Sequence, residues 1–252
     1  MENRKYVKMG VLLFLFVYLS LSSAIGVEDK MSLLIEGLNS LDTNVRVEAA
    51  LSLGRMGDAR AVTPLLKALQ KEKDLRVKRA IVESLGSLKD PRVFEPLVRE
   101  YRTEGQNDWT LRMAVVEAIS KLQDPNVALE LIAIFKKDPY FMVRDSAAKQ
   151  LGRLKDPRAV PELVAAINTQ VGDSSIDGAV WALGEIGDTR AVPVLIKALE
   201  NKNLLIDGVG IALGKIGDKS AVPALEKALK DGKRGTWGVM QGLKMLTGKD
   251  YK

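Results

Sequence analysis

Residues 182–199, which read ALGEIGDTRAVPVLIKAL, decide the fold of this chain because the same phrase recurs along it. An earlier copy, LGRMGDARAV, occupies residues 53–62, and a later copy, LGKIGDKSAVP, occupies residues 213–223. Looser copies end at three further aspartates. The marker aspartates are therefore spaced 30 to 34 residues apart and stand at Asp58, Asp90, Asp124, Asp156, Asp188 and Asp218. A period in this range is typical of solenoids, in which one supersecondary unit stacks on the next.

Apolar residues recur at helical spacing on both sides of the phrase. In the first full repeat they form two stripes, which contain Val45, Ala49, Leu53 and Met56 before the turn and Val62, Leu65, Leu66 and Leu69 after it. Each stripe covers one face of a helix, and two such helices must stack on neighbouring pairs to bury both stripes. The sequence therefore predicts an all-α solenoid of about six two-helix repeats. Residues 31–41 and 236–252 are the expected terminal half-repeats.

The turn between the two helices follows from glycine, proline and aspartate chemistry. Gly57, Gly187 and Gly217 precede their marker aspartates and are expected to end the first helix in a left-handed conformation. Three repeats replace this glycine, by Lys89, Gln123 and Lys155, and place a proline directly after the aspartate. We expect one shared turn in which the aspartate caps the next helix. A further proline, at positions 64, 96, 161, 193 and 223, predicts that the second helix starts late or bends.

Residues 1–26 have the organisation of an export segment. Three basic residues precede an apolar run from position 11 to 21, and Ser22, Ser23 and Ala24 follow it. Cleavage after Ala24 is the expectation. An uncleaved membrane anchor is the alternative, because the apolar run is close to the length that spans a bilayer. Both alternatives place the repeat domain, residues 27–252, outside the cytoplasm, as a periplasmic, secreted or membrane-anchored protein.

The composition narrows the chemistry that the chain can perform. It has no cysteine and no histidine, which excludes disulfides, thiol nucleophiles, zinc thiolate sites and serine–histidine hydrolysis. The net charge of +6 is spread among interspersed acidic residues, so that nucleic acid is not an expected partner. We expect no catalytic residue, no cofactor and no metal. The recurrent aspartates could form a metal or acid–base array, but helix capping accounts for them better.

The order Arg-x-x-Ala-Ala-x-x-Leu-Gly-x-x-Gly-Asp-x-Arg-Ala-Val, at residues 46–62, resembles the HEAT-like repeat of phycobilisome lyases and bacterial scaffold proteins. The resemblance covers residues 31–247 and implies an α-solenoid. It also implies polar ladders between repeats. Their members here would be the first-helix cations Arg46, Lys78, Arg112 and Arg144, the marker aspartates, and the turn arginines Arg60, Arg92, Arg158 and Arg190. The pattern departs at Ile176, Asn126, Ile206 and Ser220.

Three groups of residues are candidates for partner binding. A dense basic stretch contains Lys71, Lys73, Arg76, Lys78 and Arg79, and it is interpreted as a solvated edge or as a weak contact with an acidic partner or anionic lipid. Large rings at the starts of first helices, Trp109 and Tyr140, are possible anchors for a partner. The last three repeat units depart from the repeat pattern in the same way. Glycines 178, 208 and 238 directly follow Asp177, Asp207 and Trp237. These three residues form either a binding stripe or a site of tight packing between repeats.

The sequence favours a non-catalytic scaffold that holds a protein or peptide on the concave face lined by second helices. The first alternative, a lyase-like or chaperone-like accessory protein for a tetrapyrrole-bearing partner, comes from the resemblance alone. A nucleic-acid binder is the third. Membrane contact is expected only through an uncleaved amino-terminal segment or a weak basic patch.

Overall fold

A computed structural model of the chain describes residues 27–103, 108–169, 175–200, 206–232 and 236–251, so that the export segment lies outside the described residues. These ranges contain 14 α-helices and no strand. The helices are α1 Val27–Gly37, α2 Thr43–Met56, α3 Val62–Lys71, α4 Leu75–Leu88, α5 Phe94–Arg102, α6 Trp109–Ile119, α7 Val127–Lys137, α8 Phe141–Leu154, α9 Val160–Thr169, α10 Ser175–Ile186, α11 Val192–Ala198, α12 Ile206–Ile216, α13 Val222–Lys230 and α14 Thr236–Thr247. Within the described ranges, no helix is both long and apolar enough to cross a membrane.

The helices belong to two compact units, Met1–Asp124 and Pro125–Lys252. In the first unit, α2 with α3 and α4 with α5 are complete repeats, and α1 is the amino-terminal half-repeat. The first helices α2, α4 and α6 contact one another in succession. In the second unit, α8, α10, α12 and α14 form the equivalent row. The predicted all-α solenoid of two-helix repeats is therefore confirmed.

The turns between paired helices follow the sequence prediction in five of the six repeats. Gly57, Gly187 and Gly217 adopt positive φ values of 67°, 76° and 82°, and the substituting lysines Lys89 and Lys155 adopt the same conformation at 54°. The marker aspartate then accepts a hydrogen bond from the backbone N–H two residues later, and a short 3₁₀ turn leads into the second helix. The prolines consequently fall in the first turn of that helix, as its late start predicted.

The third repeat departs from this turn, and the prediction for Gln123 is wrong. Gln123 does not adopt a positive φ, because α6 ends at Ile119, five residues before Asp124, whereas the other first helices end two residues before their aspartates. Ser120 stands here where the other repeats have the glycine of Leu-Gly. Its hydroxyl donates to the carbonyl of Glu117 at 2.9 Å, within the last turn of the helix.

The Leu-Gly pair, present in five of the six repeats, accounts for the close stacking of first helices. Its leucine is fully buried in every complete copy, as at Leu53 and Leu183. A Cβ on the following glycine would lie 2.6–2.8 Å from atoms of the next first helix, which is shorter than a van der Waals contact. The glycines that allow this approach are Gly54, Gly86, Gly152, Gly184 and Gly214. They are present because the neighbouring backbone occupies the space of a side chain.

Candidate functional site

The first helices of the first unit form an open groove of 610 Å³. Helix α4 contacts both α2 and α6, and it contributes the small side chain of Ala80 to the lining. The flanking helices contribute longer apolar side chains, Val47 and Leu51 from α2 and Trp109 and Met113 from α6. This first-helix groove therefore combines an apolar lining with the open shape that a partner helix or extended segment requires.

Charged side chains divide the first-helix groove along its length. Arg76 and Arg79 lie at the amino-terminal end of α4, beside the start of α6, and the Arg79 guanidinium donates to Thr110 Oγ1 at 3.5 Å. Glu83 and Glu117 line the groove one to two turns further along their helices. With a rise of about 1.5 Å per residue, Arg76 and Glu83 are separated by roughly 10 Å along α4. The end with the two arginines is called the cationic end, although Arg76 also binds Asp74 at 3.1 Å, and the glutamates lie between this end and Lys121.

Trp109 is fixed at the cationic end by the cap of α6. Asp108 Oδ1 accepts hydrogen bonds from the backbone N–H groups of Thr110 at 2.7 Å and Leu111 at 3.0 Å. The hydrogen bond from the Thr110 hydroxyl, together with the charge of Arg79, holds the pKa of Asp108 below its ordinary value. A lowered carboxyl pKa stabilises the fold above the unfolded pKa and loses this contribution as the pH falls. The cap is therefore intact at neutral pH.

The structure brings together some of the predicted basic residues and separates others. Arg76 and Arg79 line the first-helix groove with Trp109. Lys71 lines a second groove, of 540 Å³, between α1 and α3, and Lys73 is exposed in the loop that follows. The placement of Lys78 in an exposed basic stretch is wrong. Its side chain is 6% exposed, and its ammonium donates to Glu100 Oε1 at 2.9 Å, because position 78 faces the second helix of its own repeat.

The three residues of the proposed carboxy-terminal stripe have different environments. Asp207 accepts a hydrogen bond from the backbone N–H of Gly238 and so caps the first turn of α14 from the preceding repeat. Trp237 is 59% exposed. Asp177 is exposed, but partial burial of its carboxyl and repulsion by Asp145 raise its pKa above the ordinary value. A raised carboxyl pKa favours folding below the unfolded pKa and opposes it as the pH rises, so the charge of Asp177 does not stabilise the fold.

Tyr140 lies in the loop between α7 and α8 and is 43% exposed. Its ring stacks on that of Phe141 with a centroid distance of 6.5 Å. By contrast, Phe94 and Phe135 are buried in second helices. The exposed pair belongs to the second unit and forms no part of the first-helix groove.

Five of the six recurrent aspartates act as helix caps, and four of these also bind turn arginines. Arg60, Arg92, Arg158 and Arg190 each bind the marker aspartate of their own turn at 2.6 Å. Two of them, Arg158 and Arg190, also donate at 3.3 Å to a proline carbonyl one repeat earlier, at Pro125 and Pro157. These contacts supply part of the expected ladder. In the described part of the chain, no three acidic side chains are arranged to hold a metal ion.

Sequence reasoning missed the apolar and acidic lining of the first-helix groove. Val47 and Leu51 stand two positions away from the core stripe of α2, and both are only partly buried. Met113 has the same intermediate exposure on α6. The available signal was an apolar pair spaced i, i+4 outside the core stripe, since such a pair covers a second face of the helix.

A model for HEAT repeats matches residues 31–106, 102–176 and 177–236 of the chain. The Escherichia coli protein YibA is 22% identical, with a TM-score of 0.61 over 89% of this chain and 83% of that one. A chain from the CpcE–CpcF complex of phycocyanin lyase from Nostoc sp. PCC7120 is 21% identical, with a TM-score of 0.52 over 86% of this chain and 94% of that one. At these identities the likeness concerns the fold alone. A comparison with curated proteins finds no match.

Proposed function

The chain belongs to the HEAT-repeat family, and we propose that it is a non-catalytic scaffold that binds a segment of a partner protein in the first-helix groove. The observation that carries this proposal is the placement of Trp109, Arg76 and Arg79 around one apolar groove. Tryptophan and arginine are the side chains that most often dominate the energy of protein interfaces. The expected partner segment is an amphipathic helix or an extended peptide.

The charge division of the groove favours one orientation of the bound segment. Acidic side chains of the partner would meet Arg76 and Arg79, and basic side chains would meet Glu83 and Glu117. Such complementarity selects among partners and sets their register. The amino-terminal ends of α4 and α6 lie at the cationic end of the groove, where the carboxylates of Asp74 and Asp108 cap them.

The second groove is the alternative location, since it lies against the second helices that the sequence favoured. It is lined by Ile35, Leu38, Pro64 and Lys67, with Lys71 and Glu72 at the end of α3. Arg46 crosses this end and binds Glu72 at 2.7 Å, so part of its polar lining is already paired. Each groove thus holds one arginine that is already paired, since Arg76 binds Asp74 at 3.1 Å, and the first-helix groove is preferred because only its lining contains a tryptophan.

Trp109→Ala should weaken partner capture by about 30-fold or more, the loss that accompanies truncation of an interface hot spot. Arg79→Glu should have a similar effect because it reverses the charge at the same end. The measurement is quantitative pull-down of envelope proteins by the full chain and its variants. Lys230→Glu, at an exposed position of α13, is the matched control and should capture normally.

Normal capture by both groove variants would refute the groove as the binding surface. Loss of capture by Lys67→Glu alone would move the site to the second groove. Recovery of a coloured pigment with the chain would instead favour the lyase-like alternative.

We further propose that the scaffold works outside the cytoplasm. The support comes from the basic residues, apolar run and small residues of positions 1–26. A reporter enzyme fused after Lys252 should be active in the extracytoplasmic compartment. Activity in the cytoplasm only would contradict export.

A further inference from the structure

The end of the loop between α7 and α8, together with the first turn of α8, exposes a run of apolar side chains. Tyr140, Phe141 and Met142 are 43%, 39% and 40% exposed, and Pro139 before them is exposed as well. Contiguous exposed apolar residues of this size usually mark a contact with another surface. This run, residues 139–142, is called the apolar tip.

The apolar tip is held outward by an ordered loop. Asp138 is 3% exposed, and its Oδ1 accepts a hydrogen bond from the backbone N–H of Tyr140 at 2.8 Å. The Arg144 guanidinium donates to the Asp138 carbonyl at 2.6 Å. These bonds direct the Asp138 side chain toward the protein interior. They also fix the backbone on which the rings of Tyr140 and Phe141 are exposed. The exposure is therefore a property of the folded loop.

Charged side chains lie on both sides of the apolar tip: two lysines precede it, and Asp145, which is partly buried and binds Lys149, follows one turn into α8. Lys136 and Lys137 are the last two residues of α7, and both are exposed. The Lys136 ammonium forms a salt bridge with Glu162 Oε1 at 2.7 Å. Because Asp138 is buried, the loop itself presents lysines and apolar rings to solvent, without an exposed carboxylate.

The equivalent loop of the first unit, between α3 and α4, has the same distribution. The side chains of Glu72 and Asp74 are only 10% and 28% exposed, because they bind Arg46 and Arg76. Leu75 is 42% exposed, and the cationic side chains around it, Lys71, Lys73 and Arg76, are exposed. The arrangement of withdrawn acids with projecting apolar and basic side chains thus occurs independently in both units.

We infer that the apolar tip contacts the surface of an anionic lipid bilayer. Tyr and Phe favour the headgroup region, where an apolar ring and a polar edge are both solvated. Lysines beside them are attracted to anionic headgroups. The exposed Lys137 beside the exposed rings is the observation that favours an anionic bilayer as the occupant. The inference concerns a different surface and a different partner from the proposed scaffold function.

The absence of cysteine allows a site-specific test on the full chain. Met142→Cys, labelled with an environment-sensitive fluorophore, should shift its emission to the blue on phosphatidylcholine vesicles that contain phosphatidylglycerol. The control, Thr189→Cys, carries the label on an exposed turn between paired helices and should not shift. The label is measured because the apolar run near the amino terminus can bind vesicles by itself.

Lys137→Gln should weaken the vesicle titration of the Met142→Cys label by about fivefold, the contribution expected of one lysine at an anionic surface. Phe141→Ser should reduce the shift itself. An unshifted label at position 142 on vesicle-bound chain would overturn the inference. An equal shift on vesicles of phosphatidylcholine alone, or at position 189, would overturn it too.

Discussion

Gly238→Ala should lower the free energy of unfolding by about 3 kcal/mol, the upper part of the range for overpacking at a close contact. A Cβ at this position would lie 2.5 Å from the Cα and carbonyl carbon of Asp207. These are backbone atoms, so α12 and α14 would have to separate. Separation would also break the hydrogen bond from the Gly238 N–H to Asp207. Urea denaturation followed by circular dichroism measures the loss.

Gly208→Ala is the matched control in the same repeat column. The atom nearest to its added Cβ would be Val180 Cγ1 at 3.8 Å, an ordinary contact, and the position is exposed. Alanine should therefore leave stability unchanged or raise it by up to about 1 kcal/mol through helix propensity. Equal destabilisation by both substitutions would contradict the packing explanation of Gly238.

Glu100→Ala should lower the free energy of unfolding by about 3 to 5 kcal/mol because it removes the carboxylate from a buried ammonium. Lys78 and Glu100 join the two helices of the second repeat, with side chains 6% and 10% exposed. The same urea measurement applies, with hydrogen exchange of α4 and α5 as a local readout.

The double variant Lys78→Met with Glu100→Leu distinguishes the electrostatic contribution of this pair from its packing contribution. Apolar side chains of similar volume should restore most of the stability, since a buried ion pair stabilises little relative to a packed apolar pair. A double variant as unstable as Glu100→Ala would show that the cost comes from packing, and would refute the electrostatic account.

The repeat fold could be predicted because the residues that form its turns recur from repeat to repeat. Asp58 and its equivalents cap the next helix, and Gly57 and its equivalents supply positive φ, which are short-range requirements visible in sequence. The prediction for Gln123 is wrong because α6 already ends at Ile119, next to the Ser120 that replaces the glycine of Leu-Gly.

The candidate site was predictable only in part. Trp109 and Arg79 were recognised because large rings and clustered cations are visible in the sequence. Lys78 was misplaced because helical spacing alone did not reveal that Glu100 would face it from the paired helix. Glu83 and Met113 were missed because the first-helix groove depends on contacts among three helices from successive repeats.

Photo-crosslinking from inside the first-helix groove tests the central claim most directly. Met113 lines this groove, and Lys67 lines the second one, so that a photoreactive phenylalanine at either position reports on one groove. In cells that express the full chain, the residue at position 113 should crosslink to a discrete protein, and Trp109→Ala should abolish that product. A product from position 67 with none from position 113 would contradict the account.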